Sequence, residues 1–501
     1  MKEALKKCGI GLVLIAVMSA LSCNDEHHFS TSTSHRLSFS ADTVAFDTLF
    51  TGVSSATNTF LIYNRNKASL RIAHAALSGG AASPYRVNID GLSGTSFSDI
   101  AIRGGDSMYV FVEVTVDPRG QDAPFEVRDS LQLVLESGVR QQILFTASGQ
   151  DATVLRGTVI SADTWLTSSR PYLVYDSLRV EAGSTLYMAP GTRLYFADGV
   201  EMQVHGRIEA VGRADSLVLF RGARTDRMFD YLPYDRLTAQ WGGITLHPTS
   251  SGNIFEHCDI HSGTYGIRAE NEAPDPLQLK LTMHSTQIHN VEEDALQLTA
   301  CVASFYNSLF SNAGGHCVNI LGGRLDFTHC TMANFYPWKS GRGAAVNIAN
   351  CVEEEEGRLY PLYRADFTNC IVTGSGNDEL SDAVVAETDT ADWLEYAQYT
   401  FSHSVINSWS NAREPDSLHF VHIVWEHKDS VSYGGSNFRT IDHSNFVYDF
   451  HLDSLSVARG KGLYVGDTVD GCDKDGVPRN QEGPVDAGCY QYVAYAREEA
   501  E

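Results

Sequence analysis

Phe255-Glu-His-Cys-Asp-Ile260 is the first of six hexads in this sequence that follow one pattern. The other five are Met283-His-Ser-Thr-Gln-Ile288, Phe305-Tyr-Asn-Ser-Leu-Phe310, Phe327-Thr-His-Cys-Thr-Met332, Phe367-Thr-Asn-Cys-Ile-Val372 and Phe401-Ser-His-Ser-Val-Ile406. The first residue is large and apolar, the fourth is Cys, Ser or Thr, and the sixth is apolar. Successive hexads start 28, 22, 22, 40 and 34 residues apart, and a period of about 20 to 50 residues is typical of stacked coils.

The chemistry of one hexad predicts how each coil packs on the next. In a parallel β-helix each strand lies about 4.8 Å above its equivalent, so the first and sixth side chains should form inward apolar columns. The third residue is His, Asn or Ser, and Asn and His are enriched at bends with positive φ. Because the fourth residue must fit that bend, we interpret Cys258, Cys330 and Cys370 as small buried residues rather than ligands.

A second short strand precedes the next hexad in most coils. It reads Gly266-Ile-Arg-Ala269, Ala295-Leu-Gln-Leu298, Cys317-Val-Asn-Ile320, Ala345-Val-Asn-Ile348 and Ala383-Val-Val-Ala386. Asn319 and Asn347 occupy equal places in this strand, and Gln297 occupies the same place one coil below. The pattern predicts a ladder of polar side chains along the coils.

Residues 157–410 also contain very short strands separated by Gly or Pro turns, such as Leu186-Tyr-Met-Ala-Pro-Gly191. This run resembles the opening coils of bacterial right-handed parallel β-helix proteins of the pectate-lyase-like class. Near the end of the chain, Asp473-Lys-Asp-Gly-Val-Pro-Arg479 and Gly483-Pro-Val-Asp-Ala-Gly-Cys-Tyr490 resemble the closing signature of such proteins. The resemblance implies a right-handed parallel β-helix over 157–410, then terminal coils and a C-terminal cap over 411–501.

Residues 36–150 contain seven short strand candidates with alternating apolar residues, separated by Gly, Asn, Asp and Ser. Seven short strands over about 100 residues indicate a β-sandwich. The phrase Val114-Thr-Val-Asp-Pro118 and the later Thr146-Ala-Ser-Gly149 resemble Ig-like domains of the major-sperm-protein type. The predicted fold class is therefore all-β, with an Ig-like β-sandwich acting as a spacer in front of the β-helix.

The start of the sequence is typical of an export signal. Lys2, Lys6 and Lys7 precede an apolar run, Ile10 to Ala20, that is too short to span a bilayer. The run ends in Ser19-Ala20-Leu21-Ser22-Cys23, which resembles a lipoprotein lipobox, although Ala20 stands where a larger aliphatic residue is commoner.

The lipobox resemblance implies a signal peptide over 1–22, a lipid anchor on Cys23 and a flexible tether over 23–35. The acidic residues directly after Cys23 resemble the surface-export signal of Bacteroidetes lipoproteins. We therefore expect a protein anchored to the outer membrane by its lipid. The sequence leaves open whether the body faces the cell surface or the periplasm.

The charge balance excludes one class of partner. The chain has 37 Lys and Arg residues against 62 Asp and Glu residues, a formal net charge of −25. Such a surface repels the phosphate backbone, so we expect no nucleic-acid partner.

The cysteine and histidine patterns predict no metal site. The cysteines include no C-x-x-C pair or other zinc-type spacing. Cys472 and Cys489 are a candidate disulfide, which exported proteins tolerate.

The bend residues His257, His329 and His403 are interrupted by Ser and Asn, and alternate coils are too far apart to share one zinc ion. We expect no cofactor; Asp473 and Asp475 are the calcium candidates, but they lack the spacing of a calcium loop.

The long coils contain acidic insertions after the second strand, and insertions at one place in a coil project from one edge of the solenoid. Aromatic and acidic residues in and near these insertions are the candidate ligand-binding residues. They are Trp338, Glu353, Tyr360, Tyr363, Asp392, Trp393 and Tyr396.

These features favour a non-enzymatic cell-envelope lipoprotein that binds glycan or an envelope protein through its loop edge. No catalytic residue is assigned, because the outward hexad residues lack a base beside acidic calcium ligands and the hydrolase motifs of this fold are absent from the sequence. The alternative is a polysaccharide lyase or glycoside hydrolase with a carboxylate pair assembled from the loops. A third interpretation is a purely structural stalk.

Overall fold

A computed structural model of the protein describes residues 28–272, 277–352, 358–384, 397–408, 416–426, 433–466, 471–479 and 484–495. This part of the chain is all-β, with short 3-10 helices at Gly80–Ala82, Tyr234–Arg236 and Gly434–Asn437. Within it, no helix has the length and apolarity needed to cross a membrane. Contacts divide the chain after Gln150 into two compact units.

The first unit contains two five-stranded sheets. One sheet is formed by Ser38–Phe39, Asn58–Tyr63, Ser107–Val114, Tyr85–Ile89 and Leu92–Gly94. The other is formed by Thr43–Phe50, Arg140–Gln150, Phe125–Leu135, Leu70–Leu77 and Ser96–Ile102. All pairs are antiparallel except Thr43–Phe50 with Arg140–Gln150, which is parallel.

Alternating apolar residues explain the core of the first unit. In Ser107–Val114 the side chains of Val110, Val112 and Val114 are buried while the residues between them are exposed, as period-2 alternation requires. Buried side chains from both sheets form one core, in which the ring of Phe145 contacts the rings of Phe60 and Tyr85. The two sheets agree with an all-β unit, and its assignment to the Ig-like class stays a prediction.

The second unit contains a 26-stranded sheet in which every strand pairing is parallel. Its strands form three stacks of parallel-paired strands, here called ladders, and successive strands of the chain belong to the three ladders in turn. This gives a parallel β-helix-like architecture. The first ladder contains Thr164–Leu166, Thr185–Met188, Arg207–Val211, Asn253–Glu256, Leu279–His284, the ends of Leu296–Tyr306 and Val318–Thr328, Leu362–Thr368, Ala397–Ser402 and Phe420–Val421.

The second ladder follows the first in each coil, and the third completes the coil. The second contains the starts of Thr153–Ile160 and Tyr172–Val180, then Arg193–Phe196, Val218–Gly222, Cys258–His261, Gln287–Val291, Leu309–Ala313, Thr331–Asn334, Ile371–Gly374, Val405–Ile406 and Val424–Trp425. The third contains the ends of Thr153–Ile160 and Tyr172–Val180, then Glu201–Val204, Gly243–Leu246, Ile267–Glu270, the starts of Leu296–Tyr306 and Val318–Thr328, Val346–Ala349 and Leu380–Ala383.

Each hexad forms the corner between the first and second ladders. The third hexad residue has a positive φ in every copy: His257 47°, Ser285 48°, Asn307 50°, His329 50°, Asn369 56° and His403 48°. The predicted bend is therefore confirmed. His422 has a φ of 55° between Phe420–Val421 and Val424–Trp425, so Phe420 begins a seventh corner of the same geometry, although its fourth residue is Ile423 rather than Cys, Ser or Thr.

The first hexad residue forms the predicted inward column. The rings of Phe305, Phe327, Phe367 and Phe401 stack with centroid distances of 4.4, 4.7 and 4.3 Å and interplanar angles of at most 11°. All four side chains are buried. Stacking at this distance follows from the spacing between parallel strands.

The fourth hexad residue satisfies backbone groups at the corner. The hydroxyl of Thr286 donates to the carbonyl oxygens of His284 at 3.0 Å and, in the coil below, of Phe255 at 3.2 Å. The backbone N–H of Cys258 donates to the same hydroxyl at 3.2 Å. A small side chain with a hydroxyl or thiol group therefore forms hydrogen bonds with the backbone of two successive coils.

The C-terminal segment, which comprises the described residues 433–466, 471–479 and 484–495, packs against the outer face of the second ladder. Leu309, Ile371 and Val405 on that face share an apolar cluster with the antiparallel hairpin Phe438–Asp442 and Val447–Leu452 and with buried residues such as Cys489. Two further antiparallel hairpins project from the coils. They are Arg227–Phe229 with Leu232–Pro233, and Cys351–Val352 with Arg358–Leu359.

Candidate functional site

The outer face of the third ladder contains a groove of about 390 Å³, here called the amide groove. It is lined by Gln297, Thr299, Asn319, Leu321, Asn347 and Cys351, among others. Gln297, Asn319 and Asn347 are paired in parallel register on three successive coils. The ladder of polar side chains predicted from the sequence is therefore confirmed, and it lines a groove.

Hydrogen bonds orient the two asparagine amides in this groove. The Nδ2 of Asn347 donates to Oδ1 of Asn319 at 2.9 Å, and the Nδ2 of Asn319 donates to Oδ2 of Asp294 at 2.7 Å. The other oxygen of Asp294 accepts the backbone N–H of His316 at 2.7 Å. The amides thus have defined donor and acceptor directions before any ligand arrives.

A second groove of about 410 Å³, here called the histidine groove, lies between the second ladder and the C-terminal segment. Its lining includes Asp259, His261, His289, Ser311, Asp449 and His451. His261 and His289 are partners in parallel register on adjacent coils, and their rings stack at 4.8 Å.

Asp259 is the centre of the first wall of the histidine groove. Its Oδ1 lies 2.8 Å from Nδ1 of His261 and 3.1 Å from Nε2 of His289, and its Oδ2 accepts a hydrogen bond from Gln287 at 2.8 Å. Burial alone would raise the pKa of Asp259, but the two imidazoles hold this pKa well below its usual range. Burial lowers the pKa of His261 and so favours the neutral form of this imidazole beside the carboxylate.

His451 forms the opposite wall of the histidine groove. Its Nδ1 lies 2.5 Å from Asp449, its Nε2 lies 2.9 Å from Asp475, and its ring stacks on Tyr490 at 4.0 Å. Burial lowers the pKa of His451, but hydrogen bonds to the two carboxylates more than compensate and raise it to about 9. His451 is therefore a cation held between two anions at neutral pH.

The predicted ligand-binding residues lie in different places. Trp338 is 41% exposed and stacks at 4.3 Å on Phe446, which lines the histidine groove. Tyr360 is buried, and its backbone N–H donates to the carbonyl of Asn350. Tyr363 is half-buried. The remaining four predicted residues, Glu353, Asp392, Trp393 and Tyr396, lie outside the described residues, as does Cys23.

The cysteines of the hexads are buried, as their small fourth position predicted. Cys258, Cys330 and Cys370 have no exposed surface, and burial raises the pKa values of the Cys258 and Cys330 thiols. Cys472 and Cys489, the candidate disulfide pair, are both free thiols in the structure; Cys472 is exposed and Cys489 is buried.

The bend histidines have structural roles at the corner. The Nε2 of His329 accepts a hydrogen bond from Asn369 at 2.9 Å, and the ring of His403 contacts the ring of His422 in a tilted arrangement at 4.7 Å. The histidines that meet in a groove, His261 and His289, were not singled out from the sequence. Each directly follows a hexad, so comparing the seventh position of successive copies would have identified them.

The calcium candidates near the C-terminus organise a loop. Asp473 accepts the backbone N–H groups of Asp475, Val477 and Gln491 at 2.8 to 2.9 Å. Burial raises the pKa of Asp473, although these hydrogen bonds oppose the change. Asp475 is engaged by His451 as described above. The expectation of no cofactor, with these two residues as the calcium candidates, stays a prediction.

Comparisons with known proteins identify no family. No protein-family model and no curated protein matches the sequence. Among solved structures, a PapD-like domain of human CEP192 matches 26% of this chain and 92% of its own, with 15% identity and a TM-score of 0.17. A family 123 glycoside hydrolase from Clostridium perfringens matches 25% of this chain and 26% of its own, with 8% identity and a TM-score of 0.17. Neither likeness is close enough to inform fold or function.

Proposed function

We propose that this protein is an outer-membrane lipoprotein whose right-handed parallel β-helix binds glycan in the amide groove without transforming it. The lipobox-like sequence ending at Cys23 supports the anchor. The sheet pairs of the first unit suit an Ig-like spacer between the membrane and the coils.

The observation that carries the proposal is the column of Gln297, Asn319 and Asn347 in the amide groove, in which hydrogen bonds orient the two asparagine amides. Strands in one ladder repeat about every 4.8 Å, so the column offers amide donors and acceptors at regular intervals. Glycan hydroxyls both donate and accept hydrogen bonds, as amides do. Leu321 adds an apolar contact surface in the same groove, and binding sites combine apolar lining with a few placed polar groups.

The chemistry of these amides supports binding rather than catalysis. A side-chain amide does not titrate near neutral pH, so it can orient a sugar but cannot act as the general acid that glycosidic cleavage needs. Cys351 and Val352, which directly precede Glu353 in the sequence, line this groove. Their position supports a part for the insertion that follows them in ligand binding.

Glycan binding is tested by an array screen of the purified protein, followed by calorimetry with the best ligand. Asn347→Ala should weaken binding by about 1–3 kcal/mol, the usual cost of leaving polar partners unpaired, which is roughly 5- to 150-fold. Gln203→Ala is the matched control, because Gln203 faces outward from the same ladder several coils away. Equal affinity of the two variants would contradict the amide groove as the site.

A reducing-end assay on the ligands tests the alternative function. Binding without new reducing ends or unsaturated products supports a binding protein. Release of either product would make the protein a carbohydrate-active enzyme and overturn the non-enzymatic proposal. Absence of any glycan binding would instead favour an envelope protein as the partner.

A further inference from the structure

Asp259, His261 and His289 bring three metal-ligating atoms together on the outer face of the second ladder. The three atoms lie within 4.8 Å of one another. Asp259 and His261 are two residues apart on one strand, so their side chains leave the same face, and His289 is the register partner of His261 on the next coil. One carboxylate and two imidazoles are a donor set that suits zinc and other first-row divalent cations.

The coils hold these donors in place. The two strands, Cys258–His261 and Gln287–Val291, are paired within the parallel sheet, so the donors do not depend on a mobile loop. Gln287 donates to Oδ2 of Asp259, which leaves Oδ1 directed at the two rings. An outer hydrogen bond that orients a ligating carboxylate is typical of metal sites.

The distances are close to those that an ion requires. Oδ1 of Asp259 lies 2.8 Å from the His261 nitrogen and 3.1 Å from the His289 nitrogen. With metal–ligand bonds of about 2.0–2.2 Å, tetrahedral ligand atoms lie about 3.4 Å apart. His261 is 8% exposed and fixed, whereas His289 is 24% exposed, so rotation of His289 can bring its nitrogen to the ion.

Ser311, the next residue in the column of His261 and His289, indicates that a water molecule is the fourth ligand of the ion. Ser311 is the register partner of His289, lines the groove and is 1% exposed. Its hydroxyl oxygen has no hydrogen-bond partner among the described residues, and a buried polar group without a partner is costly. A water molecule on the metal, in the fourth position that three protein ligands leave open, would supply that partner.

We propose that Asp259, His261 and His289 bind one divalent transition-metal ion, with zinc the best fit to this donor set. Ser311 would hydrogen-bond the solvent molecule on the ion. This site lies on a different ladder from the amide groove, so it does not depend on the proposed glycan binding.

The test is calorimetric titration of the chelator-treated, purified full-length protein with zinc chloride. We expect one zinc ion per chain, and His289→Gln should weaken binding by roughly a hundredfold, the upper end of what loss of even an outer-shell partner costs. Gln keeps a hydrogen-bond donor for Asp259, and His289 is partly exposed, so the fold should be retained. Zinc should also raise the melting temperature of the wild type but not that of the variant.

Two control variants exclude other zinc sites. His205→Gln changes a histidine that stacks on His247 at 4.0 Å outside the histidine groove, and Cys472→Ser removes the exposed thiol. Both should bind zinc as the wild type does. Cobalt chloride should give an intense visible spectrum without a thiolate charge-transfer band. No zinc binding, or binding that survives in His289→Gln, would show that the three side chains form only a hydrogen-bond network and would overturn the proposal.

Discussion

At the scale of single residues, the hexad places each residue type where its chemistry is needed. The third position has a left-handed backbone in every copy, which His, Asn and Ser tolerate better than β-branched residues. Asn369 has a second role at this position. Its side chain donates to the backbone carbonyl of Leu463 at 2.6 Å and accepts a hydrogen bond from the Leu463 N–H at 2.7 Å. One residue thus bends the coil and holds the C-terminal segment.

The backbone conformation at His403 leads to a prediction of stability. His403 has a φ of 48°, and a β-branched side chain there adds strain of about 1–3 kcal/mol. We expect His403→Val to lower the midpoint of thermal unfolding, whereas His403→Asn should change it little. Circular dichroism melts of the two variants provide the measurement. A valine variant as stable as the asparagine variant would show that this bend does not constrain the residue.

At the scale of elements, the ladders are stabilised by columns that run from coil to coil. Phe367 stacks between Phe327 and Phe401 at 4.7 and 4.3 Å and has no exposed surface. The thiols and hydroxyls of the fourth position run beside this column and bond the corner carbonyls. Neighbouring coils therefore depend on each other, as expected when stability is a sum over repeat interfaces.

Removal of one ring from the column should have a large effect. Phe367→Ala leaves a cavity between two rings, and such substitutions cost about 3–5 kcal/mol. We expect a lower urea midpoint for unfolding of the coils. Phe229→Ala is the control, because Phe229 is 54% exposed in a projecting hairpin. Similar midpoints for the two variants would mean that the column contributes little.

At the scale of the whole second unit, the C-terminal segment covers apolar residues on the second ladder. Arg479 donates hydrogen bonds to Asn307, which is 172 residues earlier, and to the carbonyl of Gly488. The hairpin Phe438–Asp442 and Val447–Leu452 adds His451, which connects Asp449 to Asp475. The segment thus closes one wall of the histidine groove through long-range contacts.

The ionic link at His451 predicts a pH dependence of stability. The pKa of His451 is about 9 in the folded protein against an ordinary value of 6.5, so its contribution is fully present below about pH 6.5 and is lost as the pH rises through about 9. We expect the difference in melting temperature between wild type and His451→Gln to shrink between about pH 7 and about pH 10. A constant difference across that range would contradict the ion-pair assignment.

The sequence by itself determined the coil: its period, the inward Phe column, the bend at the third hexad residue and the amide ladder at Asn319 and Asn347. These features depend on residue types that repeat at equivalent positions, so they can be recognised from the sequence alone. The tertiary structure decided what lies outside the coil. Asp259, His261 and His289 meet because the second ladder sets two coils in register, and His451 faces them because a segment much later along the chain folds back. The pair His261 and His289 repeats with the hexad and can be recognised from it, whereas the approach of His451 depends on shape and loop closure, which no local pattern encodes.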